Sequence, residues 1–318
     1  MTRVALGISY NGRPYDGWQS QPSGNTIQDK LERALARFLD IPDVNTLCAG
    51  RTDAGVHGLN QVVHFDSPLE RPANAWVRGT NSFLPPDIAV QWAQKVSPGF
   101  HARASATGRR YAYVLLESPV RPSVDAGQVG WVFRPLQHDA MQTAANTLLG
   151  EHDFTSFRAS SCQAHSPVKT MRRIQIARRG AYWRFEFEAS AFLHHMIRNI
   201  MGCLVAIGTG NRPPSWMAEV LASKSRDAAA PTFSPDGLYF LAGWSTIAVD
   251  GTFQRLNSAG SRLGHALPDV TNEPPHPYQD LWVDTRDRRG SGSVRGCRRH
   301  RFRAVPAQPA LRVAGAGR

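Results

Sequence analysis

Large apolar side chains occupy every second position from Val4 to Tyr10, which predicts a half-buried strand. A helix is predicted next, because Thr26 and Asp29 form a capping-box pattern and the apolar residues after them fall on one helical face before Pro42. Three more elements follow: a strand at Gln61–Asp66, a helix at Asn74–Phe83 and a strand at Ile88–Val96. This order predicts an α+β unit.

The second part of the chain repeats this order, although no sequence identity between the two parts is visible. The clearest signal is a hairpin, since Trp183, Phe185 and Phe187 alternate with charged residues after a turn at Gly180. The predicted elements are a strand at Arg109–Leu116, a helix from Met141 that stops at Gly150, a hairpin of Thr170–Arg178 and Tyr182–Ala189, a long helix carrying Met196 to Val205, and a closing strand at Leu238–Ile247. The pattern indicates a pseudo-repeat of two α+β halves.

The composition is that of a globular chain with a basic surface. Of 318 residues, 42% are hydrophobic, which is enough to build a substantial core. The 37 basic residues exceed the 25 acidic ones and give a formal charge of +12, which favours a polyanionic partner such as nucleic acid. Four scattered cysteines indicate neither a disulfide framework nor a zinc knuckle, which fits a reducing cytosol. No apolar run approaches 18 residues, so neither a signal peptide nor a membrane span is expected.

Residues 247–318 differ in composition from the rest. They contain 12 arginines and no lysine against 6 acidic residues, they are rich in Gly and Pro, and they show little apolar periodicity. We expect this tail to be mostly disordered. A nucleic-acid-contacting arm and a passive tail fit its composition equally well.

Arg51 and Asp53 lie two residues apart in a glycine-flanked segment just before the predicted strand at Gln61. Glycines allow a tight turn in which the backbone approaches a ligand closely, so Asp53 is a candidate nucleophile. For an isolated R-x-D pattern, an Asx-turn at Asp53 with a solvated Arg51 is the more common outcome. The complete string G-R-T-D-A-G-V-H is far more specific than that pattern.

A second candidate is the strand segment around Arg109, where strand alternation puts Tyr111 and Tyr113 on one face. A tyrosine ring can stack on a flipped-out base, since every base offers a π-face. Two ordinary strand aromatics are the alternative for an isolated Y-x-Y pattern.

A third candidate is the segment from His194 to Asn199. Adjacent histidines suggest a metal, but a zinc helix needs histidines four residues apart, and the residue four after His194 is Arg198. We therefore expect no metal ion there. Arg198 lies at the edge of the apolar stripe, so its stem can pack while its guanidinium reaches a carboxylate, and a plain surface salt bridge is the alternative.

Together these motifs resemble those of the TruA family of pseudouridine synthases. The string from Gly50 to His57 resembles the family's catalytic motif, which implies that Asp53 is the nucleophile. The segment from His101 into Tyr111 resembles its second motif, which implies that Tyr111 stacks on the base.

The remaining roles also come from the resemblance. The H-H-M-I-R-N segment is similar to a motif whose arginine pairs with the catalytic aspartate, which implies that Arg198 keeps that acid ionised. Gly237 to Phe240 matches a G-L-Y-L segment except at Phe240, and implies that Leu238 lies against the uracil ring. Arg51 is a candidate to fill the space left by a flipped base or to contact phosphate.

The resemblance implies an α+β fold of two ferredoxin-like halves, with antiparallel sheets joined across a central basic cleft. The halves would be residues 1–105 and 106–246, followed by the tail at 247–318. It implies a cytoplasmic isomerase that converts uridine to pseudouridine in the anticodon stem-loop of tRNA, at tRNA positions 38 to 40. It also implies a homodimer with one tRNA across both subunits, and neither a cofactor nor a metal.

Two other classes of function remain open from the residues. A non-catalytic RNA-binding or RNA-folding module would keep the basic cleft, although the joint presence of Asp53, Tyr111 and Arg198 argues against it. A metal-dependent nuclease needs clustered carboxylates, and the next acid after Asp53 is Asp66.

Deletion of residues 255–318 should leave a folded enzyme with a nearly unchanged single-turnover rate at saturating enzyme, because the tail lacks the apolar pattern needed to join a core. If its arginines contact phosphates, tRNA affinity should fall and the slope of log K against log salt should become shallower. The measurement is tRNA binding by full-length and truncated protein over a salt series. An unchanged slope rejects an RNA-contacting arm, and loss of folded protein contradicts the prediction of disorder.

Overall fold

The computed structural model describes residues 1–249 and 252–255. The strands are β1 (Thr2–Tyr10), β2 (Leu47–Cys48), β3 (His57–Ser67), β4 (Ile88–Lys95), β5 (Ala106–Glu117), β6 (Gly130–Val132), β7 (Gly150–Asp153), β8 (Val168–Arg179), β9 (Tyr182–Ala189), β10 (Leu238–Val249) and β11 (Thr252–Arg255). The helices are α1 (Ile27–Leu39), α2 (Ala73–Asn81), α3 (His138–Asn146), α4 (Met196–Gly208) and α5 (Trp216–Ser223).

The start and end of α1 show how local sequence fixes an element. The Thr26 hydroxyl accepts a hydrogen bond from the Asp29 amide at 3.2 Å, and the Asp29 carboxylate accepts one from the Thr26 amide at 3.3 Å, so the predicted capping box is present. Asp40 ends the helix in the left-handed conformation, and Pro42 follows. Ile27, Leu31 and Leu35 are fully buried on the face that packs against the sheet.

The strands form one sheet in the order β4-β1-β3-β10-β5-β9-β8-β7, with β2 paired to β3, β6 to β5 and β11 to β10. The first half runs β1-α1-β2-β3-α2-β4, and the second runs β5-α3-β8-β9-α4-β10, with short additional elements. In both halves the strand order across the sheet is fourth, first, third, second. The predicted α+β fold of two ferredoxin-like halves is confirmed by this shared topology.

The halves join where β3 pairs with β10, and this pairing is parallel. The four main strands of each half pair antiparallel with one another, and the short β6 adds a parallel pairing to β5. Tyr239 lies opposite His57 and Phe240 opposite Gly58. Because the Asp53 loop ends at the first residue of β3, the join lies directly beside that loop.

His57 stabilises the pairing of β3 with β10. Its ring stacks on Tyr239 with centroids 4.6 Å apart. Its Nδ1 accepts a hydrogen bond from the Gly12 amide, and its Nε2 lies 3.0 Å from the carbonyl oxygens of Gly127 and Asp236, so the proton is on Nε2. Burial lowers the pKa of His57, which keeps this neutral arrangement.

Several elements differ from the sequence-based expectation. The strand β3 begins at His57, four residues before its predicted start, and α3 ends at Asn146, although Leu148 is still buried. Helix α5 was not predicted, because only Met217 and Val220 are buried in a short segment that follows two prolines.

Part of the predicted tail is described. Thr252–Arg255 forms β11, which pairs with the end of β10 through Arg255 opposite Thr246. A chain ending at Arg255 therefore keeps this pairing, whereas the deletion from residue 255 removes its last residue. Residues 256–318 lie outside the described residues, so the predicted disorder and the three domain boundaries stay predictions. In the part of the chain that is described, no helix is long and apolar enough to cross a membrane.

Replacing His57 by Phe should destabilise the join. The ring still stacks on Tyr239, but the Gly12 amide and the carbonyls of Gly127 and Asp236 lose their partner. Each buried polar group left unpaired costs about 1–3 kcal/mol. The free energy of unfolding, measured by denaturant titration, should therefore fall by at least that amount.

The matched control is His165→Phe, which makes the same substitution at an exposed histidine. It should change the free energy of unfolding by no more than about 0.5 kcal/mol. Equal stability of the His57→Phe variant and the control would contradict the role assigned to His57.

Candidate active site

The loop that carries Asp53 is fixed by hydrogen bonds from the first half. The Thr52 carbonyl accepts from the Trp18 amide at 3.0 Å, and the Thr52 hydroxyl lies 2.9 Å from that of Tyr10. The Val56 amide donates to the Asp53 carbonyl at 3.1 Å, which closes a turn just before β3. These hydrogen bonds hold the backbone from which the Asp53 side chain extends.

Gly17 allows a second segment to lie against this loop. Its φ is +90°, and a Cβ there would lie 2.8 Å from the Thr52 carbonyl oxygen. A larger residue would therefore be strained and would also push the loop away.

Three side chains of the second half surround the Asp53 carboxylate. His194 Nε2 lies 3.3 Å from Oδ1, and Oδ2 lies 3.3 Å from a terminal nitrogen of Arg198 and 3.5 Å from His195 Nε2. The Asp53 side chain is 19% exposed and that of Arg198 is 15% exposed. The carboxylate therefore lies in a partly desolvated site, where charge interactions are stronger than in water.

These contacts decide the protonation state. Burial alone would raise the pKa of Asp53, but the hydrogen bond from His194 and the nearby positive charges outweigh it, so the pKa lies below its ordinary value. The hydrogen bond to Asp53 raises the pKa of His194, whereas burial lowers that of His195. The hydrogen bond from His194 and the nearby charge of Arg198 therefore favour the ionised form of Asp53.

The start of α4 places these groups. His195 is the N-cap and has a φ of 61°, a left-handed conformation that brings both adjacent imidazoles toward one carboxylate. His194 Nδ1 lies 3.1 Å from the Ser161 hydroxyl, which fixes the ring from its far side. Arg198 Nε donates to the Phe233 carbonyl at 2.9 Å, so one edge of the guanidinium is anchored and the other faces Asp53.

Tyr111 lies in an aromatic cluster beside the loop. Its ring makes edge-to-face contacts with Phe192 at 5.1 Å and with Phe240 at 5.0 Å between centroids. The residue is 8% exposed. Burial, together with charges that include Asp53, raises the pKa of Tyr111, so the phenol is neutral.

Leu238 and Arg51 lie at different depths. Leu238 is 5% exposed. In the pairing of β10 with β5 it lies opposite Tyr113, and Phe240, two residues later, lies opposite Tyr111. Arg51 is exposed on the loop, two residues before Asp53. The structure thus places Asp53, Arg198 and Tyr111 at the site, Leu238 in the adjacent core and Arg51 on the surface.

The two histidines were missed as site residues by the sequence reasoning, which weighed them only as metal ligands. A signal was present in the sequence, because His194 and His195 lie within four residues of Arg198 in the same motif. Asp53, His194 and His195 each offer a ligand atom, and these atoms lie within 4.8 Å of one another. This geometry could hold a metal, but the fixed charge of Arg198 beside the same oxygen repels a cation. The absence of a metal stays a prediction.

Arg109 was also missed. Its guanidinium donates to the carbonyl of Ala49 at 3.0 Å and to that of Ser190 at 3.1 Å. Ala49 begins the loop of Asp53, and Ser190 precedes the segment of His194. Burial lowers the pKa of Arg109. The residue therefore holds together the two segments that form the site, one from each half.

Several known proteins are similar to this chain in sequence. The model of a family described as tRNA pseudouridine synthase matches residues 8–103 and 144–242, which include Asp53 and Arg198. The tRNA pseudouridine synthase A of Paracidovorax citrulli is 69% identical over 257 residues, covering 75% of this chain and 92% of the relative. The proteins of the same name from Polaromonas naphthalenivorans and Verminephrobacter eiseniae are 71% and 67% identical, covering 75% and 78% of this chain and 92% and 99% of those relatives.

A crystal structure of a Cbf5-Nop10-Gar1 complex is also similar, at 12% identity over 64% of this chain and 45% of that chain, but its TM-score of 0.30 is too low to support an argument. The family match and the sequence identities do not depend on it. By both, the chain belongs to the tRNA pseudouridine synthase family.

Proposed function

We propose that this protein converts uridine to pseudouridine in the anticodon stem-loop of tRNA, at tRNA positions 38 to 40, with Asp53 as the nucleophile. The observation that carries the proposal is the ionised, partly buried carboxylate of Asp53, held by His194 and Arg198 beside the ring of Tyr111. Family membership makes tRNA the substrate class.

The reaction is an isomerisation that balances without an added reagent. The bond between N1 and C1′ breaks, the uracil turns while it is held, and a bond forms between C5 and C1′ as the C5 proton is lost and N1 gains a proton. Asp53 adds covalently either to C1′ or to C6 of the base and leaves again as the carboxylate. Both routes need Asp53 to be ionised, and the groups around it favour that form by lowering its pKa.

The contacts to Asp53 do not block attack. Each carboxylate oxygen has two lone pairs, so an oxygen that accepts a hydrogen bond from His194 or Arg198 keeps a lone pair for the substrate. Those hydrogen bonds also fix the direction of the carboxylate, which lowers the entropic cost of reaching the reactive geometry.

A stem-loop uridine reaches the carboxylate only when its nucleotide is flipped out. In our proposal Tyr111 stacks on one face of the uracil and Leu238 lies against the other. Arg51, exposed on the same loop as Asp53, fills the vacated space or contacts phosphate. The net charge of +12 supports attraction of the polyanionic substrate.

We further propose a cytoplasmic homodimer in which one tRNA lies across both subunits. The function is tested by incubating the purified protein with an unmodified tRNA transcript, without added cofactor, and mapping pseudouridine. Product at positions 38 to 40 supports the proposal. Binding without product would favour the non-catalytic RNA-binding module.

Replacing Asp53 by Asn should abolish turnover, because an amide keeps the shape of the carboxylate but is a poor nucleophile. Binding of tRNA should stay within a few-fold of wild type. The measurements are single-turnover rate and equilibrium binding, with Asp43→Asn at an exposed aspartate as the matched control. Similar rates for the Asp53→Asn variant and wild type would reject the nucleophile assignment.

Replacing His194 by Gln should move the acid limb of the single-turnover rate to higher pH. Burial raises the pKa of Asp53 and the hydrogen bond from His194 opposes it, so removing His194 raises that pKa. Wild type should keep its rate as pH falls toward the ordinary carboxyl value of 3.8, and the variant should lose its rate earlier.

His165→Gln is the control for the pH series, because it removes an exposed histidine. Unfolding is followed at each pH, so that loss of structure and loss of rate are separated. Coincident acid limbs for wild type and the His194→Gln variant would show that His194 does not control Asp53.

A further inference from the structure

A cavity of about 550 Å³ lies beside the histidines that contact Asp53. It shares His195 with the Asp53 cluster, and its lining includes Ser161, whose hydroxyl contacts His194. A group bound in this cavity is therefore separated from the Asp53 carboxylate by the His195 side chain.

Two arginines face this cavity. Arg158 donates through one terminal nitrogen to the carbonyls of Cys162 and Ala164. Arg226 donates to the Asn199 side chain, the Thr232 hydroxyl and the Ala229 carbonyl. These contacts orient both guanidinium groups but use only some of their five N–H donors.

Neither arginine has an acidic partner within ion-pair distance among residues 1–249 and 252–255, although both are half-buried. A partly desolvated guanidinium without a counter-charge is unfavourable unless an anion binds to it. Asp227 is the acidic residue in the lining, and it is exposed. The cavity therefore carries an excess of positive charge.

The lining favours a phosphate over a base. It consists of arginines, hydroxyl-bearing residues, alanine, Asp227 and His195, and within the described residues it includes no Phe, Tyr or Trp. Bases without sequence-specific contacts bind by stacking on aromatic rings, whereas phosphates bind to guanidinium groups and hydroxyls.

We propose that this cavity binds the RNA backbone phosphate on the 5′ or the 3′ side of the target uridine, through Arg158 and Arg226. The inference rests on the proposed function, because the target nucleotide must lie against Asp53. The phosphates next to that nucleotide are then the anions fixed closest to the cavity. Their capture holds the flipped nucleotide in register with the carboxylate.

The test uses synthetic anticodon stem-loop RNA with one uncharged methylphosphonate at the phosphate 5′ or 3′ of the target uridine. Wild type should lose about tenfold in affinity for one of these two RNAs, as expected for loss of a charge-assisted contact. Arg226→Gln should bind unmodified RNA about tenfold more weakly and should not distinguish it from that methylphosphonate RNA.

Arg37→Gln is the matched control, because Arg37 is exposed on α1 and does not line the cavity. It should respond to the methylphosphonate as wild type does. A structural role of Arg226 alone would weaken binding but leave the variant as sensitive to the methylphosphonate as wild type, and this result would overturn the proposal. Equal binding of all three RNAs by wild type would overturn it as well.

A second variant keeps the proposal testable if Arg226→Gln fails to fold. Asp227→Asn removes the negative charge from the lining and should strengthen RNA binding more than Asp43→Asn, an exposed aspartate elsewhere. Equal effects of the two would count against a phosphate in the cavity. All of these experiments measure binding, so they can be interpreted even if no pseudouridine forms. Absence of pseudouridine would refute the proposed function and not the phosphate site.

Discussion

The parallel pairing of β3 with β10 is the constraint on which the site depends. Asp53 comes from the loop that leads into β3, whereas His194, His195 and Arg198 come from the start of α4 in the other half. Neither half on its own contains Asp53 together with His194 and Arg198. The stacking of His57 on Tyr239 and the hydrogen bonds of Arg109 to both segments hold the same boundary.

The site also depends on a balance between burial and charge. Desolvation favours the neutral acid, and a neutral Asp53 could not act as a nucleophile. The hydrogen bond from His194 and the charge of Arg198 reverse that preference, and these two side chains are anchored by Ser161 and Phe233. Preorganised charge of this kind needs no rearrangement when the substrate arrives.

Specific sequence motifs pointed to Asp53, Tyr111 and Arg198 as candidates, and periodicity predicted most elements because their buried faces repeat regularly. It did not find His194 or Arg109. Their roles depend on residues of the other half, and no local pattern encodes a contact to a carbonyl such as that of Ala49. Helix α5 was missed for a related reason, since a helix of eight residues offers too few turns for its apolar face to repeat.

The distribution of charge connects the site to its substrate. The positive charge of Arg198 lies beside Asp53, and Arg158 and Arg226 line the adjoining cavity. Holding these groups close together is unfavourable in the free protein, because like charges repel in a partly buried region. An RNA strand brings a negative charge with every nucleotide, so its binding relieves this repulsion. The groups that favour the ionised form of Asp53 therefore also favour binding of a polyanion over binding of a free nucleobase.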